Sequence, residues 1–358
     1  MARNVSPEVS VLLPVRDAGR GLSGCLDSLA AQTLADHEVV AVDDGSQDGS
    51  AERLIARAAR DPRLRVIRTP ARGVVAALNL ALAEARAPIV ARMDADDWAH
   101  PRRLAAQLAR LRDDPRVDVL GCRVTIGAPG GEADGAGMRA YLEWVNDLVD
   151  HDTMARARFV ESPIIHPSVA MRAQALRGLG GYRDFEGPED YDLWLRAFDA
   201  GLRFAKLPEV LLEWRDSPAR LTRTHARYSA GAFVRLKVAS LGRGLLVGRP
   251  AVVWGAGPIG KAFARALQDA GHRVAAFVEV DRRKIGRAHP RRAGGGGRRG
   301  PELPGRAAPG CRRAEGGAGE DPRGGNAPRP RRRTRLLRRS LSGCFGGRAR
   351  PRRLGRSL

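Results

Sequence analysis

Apolar and polar positions follow two rhythms along the first third of the chain. Short β-branched runs at 9–15, 38–42, 64–68, 89–93 and 117–122 read as strands, and between them 22–32, 51–60, 74–86 and 101–112 carry apolar residues at helical spacing. That alternation predicts an α/β domain, a mostly parallel sheet flanked by helices. Near-continuous apolar strands such as VSVLLPV are what burial on both faces requires. In such sheets ligands bind beyond the carboxyl ends of the strands. The middle is less regular: a Gly-rich loop at 127–137, an amphipathic stretch at 138–149, a strand near 210–215 and a helix near 226–241. A second α/β unit starts at Pro250, with strand AVVWGAG, a helix over 259–270 and strand RVAAFVEVD. After about residue 287 Gly, Arg and Pro dominate and neither period survives, the signature of a disordered tail. These shifts divide the chain into 1–245, 249–290 and 291–358.

Charge changes the picture only once it is located. The net charge of +22 over 358 residues suggests nucleic acid or a membrane surface, but residues 291–358 hold 20 Arg against four acids, leaving about +6 for the rest. The tail also lacks the interleaved aromatics that base stacking needs, so nucleic acid is a disfavoured partner. Its abrupt onset in mid-domain is what out-of-frame translation of GC-rich DNA would give. Cys25, Cys122, Cys311 and Cys344 stand singly, against a zinc site or a disulfide framework. With no basic leader followed by an adequate apolar segment and no apolar run of about 18 residues, a cytoplasmic location is expected, any membrane contact being peripheral at the inner face.

The chemistry concentrates where strands end. IVARMDADDWAHP sets Asp94, Asp96 and Asp97 after an apolar strand. Crowded carboxylates repel one another unless a cation sits among them, and an oxygen-only set suits Mg²⁺ or Mn²⁺ held with a phosphorylated ligand. The competing reading is an acidic turn capping the helix that starts at Pro101. AVDDGSQDGS places Asp43 and Asp44 at a second strand end, where a carboxylate can accept from a base or ribose of a nucleotide. EGPEDYDLWLRAF opens a helix with Glu189, Asp190 and Asp192 ahead of a stripe of Leu193, Trp194, Ala197 and Phe198. Acids there favour the helix dipole, and one of them could equally serve as a general base on a sugar hydroxyl.

Together with VSVLLPVRDA, GVVAALNLAL, IIHPSVAMR, GGYRDF and LPEVLLEWR, these clusters span about residues 9–216 and resemble family 2 glycosyltransferases of the GT-A fold. The resemblance implies a nucleotide-diphosphate sugar donor (UDP- or GDP-sugar), a divalent metal, and inverting transfer to a glycan or lipid-linked acceptor. Asp44, with Asp43, matches the base-binding acid, and Pro14 and Val15 the nucleobase slot. Asp94 and Asp96 match the D-x-D motif, with Asp96 as direct metal ligand and Asp94 facing ribose or metal. Asp190 matches the base that deprotonates the acceptor. His166 and Trp194 match acceptor-side positions, although each equally suits packing. Arg72 and Arg92 either add positive charge near the diphosphate or are surface arginines. Two rival readings remain: an NAD(P)-linked oxidoreductase using the G-x-G-x-x-G of Gly255, Gly257 and Gly260, with Glu279 and Asp281 beyond it, and a nucleic-acid binder acting through the tail. The glycine unit is also short enough to be an accessory βαβ fragment that binds nothing.

Overall fold

The computed structural model describes residues 6–127, 136–215, 225–279 and 281. In chain order the elements are Val9–Val15 (β1), Gly21–Ala30 (α1), His37–Asp44 (β2), Ser50–Ala58 (α2), Leu64–Thr69 (β3), Val74–Glu84 (α3), Ile89–Arg92 (β4), Trp98–Ala99 (β5) and Arg103–Asp113 (α4). Val119–Gly127 (β6), Ala136–Asp147 (α5), His151–Ala157 (α6), Ala170–Arg172 (β7), Ala173–Gly178 (α7), Glu189–Asp199 (α8) and Phe204–Arg215 (β8) follow. Ala230–Arg243 (α9), Ala251–Trp254 (β9), Pro258–Asp269 (α10) and Val274–Val278 (β10) complete the described chain.

One eight-stranded sheet runs β3-β2-β1-β4-β7-β6-β8-β5. Strands β3, β2, β1 and β4 are parallel, β7 is antiparallel to both of its neighbours, β8 runs parallel to β6, and β5 antiparallel to β8. The sheet is therefore mostly parallel, as the alternating pattern predicts. In register, Val15 lies beside Asp43, Asp43 beside Arg68 and Asp44 beside Thr69, so the carboxyl tips of three strands share one edge.

Side chains of β1 alternate between two cores. Val9, Val11, Leu13 and Val15 join Leu22, Leu29, Leu54 and Leu104 on one face, while Leu12 joins Val40, Val42, Leu78 and Trp194 on the other. This double burial is why the strand sequences are apolar throughout. At the amino end of the sheet the buried Glu38 carboxylate accepts from Ser10 Oγ (2.7 Å), Arg86 N (2.9 Å) and Arg86 Nε (2.8 Å), with Arg65 at 3.3 Å. Burial opposes its ionisation, yet the bonds from Arg86 and Ser10 prevail and hold it below the usual carboxylate range.

Several boundaries differ from the sequence expectation. The second strand continues through both Asp43 and Asp44, the fifth starts at Val119 and runs to Gly127, and the one expected near 210–215 is the end of the longer β8. Strands β5 and β7 are two and three residues long, too short for alternation to show, and their partners define them.

The described residues divide between Leu236 and Lys237, inside α9, into two compact units. The second holds parallel β9 and β10 with α10 beside them, and Val252 and Trp254 lie exposed on β9. Of the tail, 291–358 lies outside the described residues.

Candidate active site

At the carboxyl edge the loops after β1 and β2 are stitched together. Asp17 N donates to Ser46 Oγ (3.0 Å), Gln47 N to Asp17 Oδ1 (2.7 Å) and Gly19 N to Asp48 Oδ2 (2.7 Å). Successive residues of a strand point to opposite faces, so Asp43 and Asp44 diverge. Asp43 accepts from Ser46 N (3.2 Å) with Arg68 at 3.7 Å, whereas Asp44 accepts from Arg72 N (2.6 Å) and Gly73 N (2.9 Å), with Arg16 at 3.5 Å. Both acids therefore shape the loops that frame the edge. Pro14, half-buried, and Val15, buried, stand beside them, paired with Val42 and Asp43.

Beyond β4, Asp94, Asp96 and Asp97 offer one carboxylate oxygen each within 4.8 Å of one another, a hard oxygen set that fits Mg²⁺ or Mn²⁺. Asp97 is fully buried and accepts Arg215 N at 2.8 Å, anchoring the loop to the end of β8. Asp94 pairs with the buried guanidinium of Arg92. Beneath the loop the Cys25 thiol donates to the Asp94 carbonyl (3.3 Å), and burial, then the charges of Asp97, Asp96 and Asp94, push that thiol well up. Buried Arg103 donates to the Arg92 carbonyl at 2.7 Å, and burial lowers its pKa. Arg92 thus pairs with the acidic loop, and Arg103 holds the backbone from which that loop leaves β4.

Arg92 is accordingly no surface arginine, while Arg72 is exposed and contributes its backbone amide to Asp44. Nothing in the sequence separates buried Arg103 from its neighbour Arg102.

The third cluster opens α8. Asp192 is buried and pairs with Arg196 (2.7 Å), which also donates to the carbonyls of Leu179 (2.8 Å) and Gly181 (2.9 Å). Asn79 on α3 clasps the Tyr182 backbone through N–H (2.9 Å) and carbonyl (2.8 Å), so the GGY turn is gripped from both sides. Buried Glu189 accepts from Tyr228 Oη at 2.8 and 3.1 Å. Half-buried Asp190 lies between these anchors, and burial, then the Glu189 charge, push its carboxyl up to about 7.

His166 and Trp194 lie deeper. The His166 ring shares a 2.8 Å hydrogen bond with Tyr182 Oη and meets Trp194 edge-on at 5.7 Å; burial, then Arg92, push its pKa well below the usual value. Trp194, 1% exposed, also contacts Phe204 and belongs to a core cluster. A small cavity, about 10 Å³, is bordered by Arg92, His166, Tyr182 and Trp194 and joins the end of β4 to α8. Arg196 could have been found by its i,i+4 spacing from Asp192, but nothing in the sequence ties Tyr228 to Glu189.

In the second unit the glycine motif does form a strand–turn–helix. Gly255 has φ 98°, and a Cβ on Gly260 would sit 1.9 Å from the Gly255 carbonyl oxygen, so close packing demands glycine there. Gly257 precedes α10 as its N-cap. The Glu279 carboxylate accepts from Ala256 N (2.9 Å) and Asp281 N (3.1 Å) and so stabilises the loop itself.

Comparison with known proteins follows the same outline. A sequence profile of glycosyl transferase family 2 matches residues 10–180. The putative glycosyltransferase EpsE of Bacillus subtilis is 31% identical over 231 residues, 63% of this chain and 79% of that protein. The amylovoran biosynthesis glycosyltransferase AmsE of Erwinia amylovora is 32% identical over 209 residues, 58% of this chain and 75% of that one. Among solved structures, S. aureus TarS 1–349 in complex with UDP-GlcNAc superposes with TM-score 0.53 at 18% identity over 66% of each chain. The mannosyltransferase PcManGT of Pyrobaculum calidifontis, in complex with GDP-Man and Mn²⁺, gives 0.51 at 22% over 75% of this chain and 74% of its own. These likenesses show the fold, GT-A. No helix among the described residues is long and apolar enough to cross a membrane.

Proposed function

Since the chain belongs to glycosyl transferase family 2, we propose that residues 1–245 transfer a sugar, with inversion, from a UDP- or GDP-sugar to a glycan or lipid-linked acceptor. The observation that carries this reading is the trio Asp94, Asp96 and Asp97, three carboxylates within 4.8 Å at the tip of a central strand. TarS with UDP-GlcNAc and PcManGT with GDP-Man and Mn²⁺ support the donor class and the ion. The name of AmsE supports a polysaccharide product.

Asp43 and Asp44 receive the base and ribose beside Pro14 and Val15, while Asp96 and Asp94 hold a divalent cation. When bound, that cation supplies positive charge against the charge growing on the departing diphosphate. Asp97 stays with Arg215 and keeps the acidic loop in place. At the acceptor end Asp190 takes the hydroxyl proton as the new bond forms, a role suited to a carboxyl whose pKa lies near neutrality. His166, held neutral by burial, positions Tyr182 rather than moving protons. Trp194 backs the acceptor side as a rigid wall.

Incubating the full chain with a panel of UDP- and GDP-sugars and Mn²⁺ should release nucleoside diphosphate. That release disappears in Asp96→Ala and in Asp190→Asn. Turnover surviving in Asp96→Ala removes the metal assignment.

A further inference from the structure

The head of α8 carries a second buried acid whose partner comes from far along the chain. Glu189 is 4% exposed, and both of its oxygens face the hydroxyl of Tyr228, itself 8% exposed, at 2.8 and 3.1 Å. Tyr228 sits on the short 3-10 turn Ala226–Tyr228 that leads into α9. That turn is pinned: Arg227 pairs with Asp184 at 2.6 Å and lies 3.8 Å from Glu189, while Phe233 of α9 meets the Tyr191 ring at 5.5 Å. Burial, followed by Glu189 and Asp190, pushes the Tyr228 phenol up, so it remains a donor throughout the working range.

We propose that Tyr228 is a positioning residue which latches Glu189 as a fixed anion behind Asp190, and that this anion makes Asp190 a strong base. The inference rests on the reading of Asp190 as the base. Two adjacent carboxyls, one buried and one half-buried, cannot both ionise cheaply, and a carboxylate held by good donors keeps its charge. Glu189 has the tyrosine hydroxyl and a nearby guanidinium; Asp190 has two backbone amides, that of Tyr191 at 2.7 Å and its own, and feels the Arg92 charge from β4. The Glu189 charge therefore bears on Asp190 and, after burial, pushes its carboxyl up. The charged and titratable groups around Asp190 are Glu189 and Tyr191 on its helix, Arg92 from β4, Tyr182 from the preceding loop, and Tyr228 from the turn, with Arg227 lying against Glu189. Of these, Glu189 is the one whose charge raises Asp190 most.

Without the hydroxyl, Glu189 is no longer held as an anion behind Asp190, and Asp190 stays ionised to lower pH. Carboxyl ¹³C titration of the donor-free full chain labelled at aspartate reads this directly, Asp190 being the resonance missing from Asp190→Asn. Wild type should titrate with a midpoint of about 7, and Tyr228→Phe about one pH unit lower. In steady-state assays with whichever UDP- or GDP-sugar is turned over, the ratio of kcat/KM at pH 6 to that at pH 8 should rise from about one tenth to about one half. A folded fraction equal at the two pH values, checked by circular dichroism, leaves that ratio unmoved. Glu189→Gln should give the same shift, and Tyr228→Phe combined with it should add nothing more. An unmoved or raised Asp190 midpoint in Tyr228→Phe, or additive shifts in the double variant, overturns the latch. Asp190→Asn retaining turnover within tenfold of wild type would instead remove the base assignment, an outcome the titration does not depend on.

Discussion

Asp192 allows two physical roles to be separated by size. A carboxylate in the first turn of a helix gains about 0.3–1 kcal/mol from the helix dipole. The structure gives it a second and larger task, because its carboxylate meets Arg196 Nε at 2.7 Å with both side chains under a tenth exposed. The same guanidinium donates to the Leu179 and Gly181 carbonyls, so it cannot leave the interior without releasing the turn before α8. Asp192→Asn keeps the shape but strands that cation opposite neutral groups, and breaking a buried pair in this way costs about 3–5 kcal/mol. Urea unfolding at pH 7 followed by circular dichroism measures the loss. Replacing both partners, Asp192→Leu with Arg196→Met, should recover most of it, since apolar substitutes for buried ion pairs are close to neutral. Recovery should fall short by about 1 kcal/mol for each of the two carbonyls left without a donor. A loss below about 1 kcal/mol in Asp192→Asn would mean that the dipole suffices, and would refute the anchoring of Asp190 through Arg196.

Three further outcomes follow from other contacts. Glu38→Gln should cost about 2 kcal/mol at pH 7 by weakening the Arg86 and Ser10 bonds. Because the folded pKa of Glu38 is depressed, that contribution is present above about 4.5 and vanishes as pH falls through the folded value, so thermal melts of variant and wild type should converge in acid; a gap constant with pH contradicts the network. Gly21→Ala places a Cβ 3.1 Å from the Asp96 Cα, so that residue must shift and the donor KM should rise about three- to tenfold; an unchanged KM argues against Asp96 at the donor. For Asp190 the folded pKa is raised, so wild type loses stability as pH climbs from about 4 towards 7. Asp190→Asn should be the more stable protein at pH 8 and no more stable at pH 4, and equal melting curves at pH 8 would deny the burial penalty.

The sheet was legible because its central strands are buried on both faces and keep apolar residues at nearly every position. The acids at the strand tips were legible for the opposite reason, since three carboxylates after an apolar run contradict burial unless something uses them. What the sequence could not carry was partnership across distance. Arg92 looks like any other arginine until β4 buries it against Asp94. Arg103 hides in a helix rich in arginine, and Tyr228 reaches Glu189 only because α9 folds back onto α8. Asp43 and Asp44 read as one acidic pair, yet the pleat sends them to different loops, Asp43 to Ser46 and Asp44 to Arg72 and Gly73. The glycine motif of 255–260 shows the limit most plainly, for it forms the close turn its spacing demands while the acid beyond it, Glu279, turns back onto that loop.

In the proposed reaction Asp94 and Asp96 gather a divalent cation on which the donor diphosphate is held. Isothermal titration of UDP and GDP into the full chain, with Mn²⁺ and with EDTA, tests it most directly. Metal-dependent binding of at least one nucleotide is expected, weakened at least about tenfold in Asp96→Asn and retained in Asp190→Asn. Binding of equal strength in EDTA, or undiminished in Asp96→Asn, would contradict it.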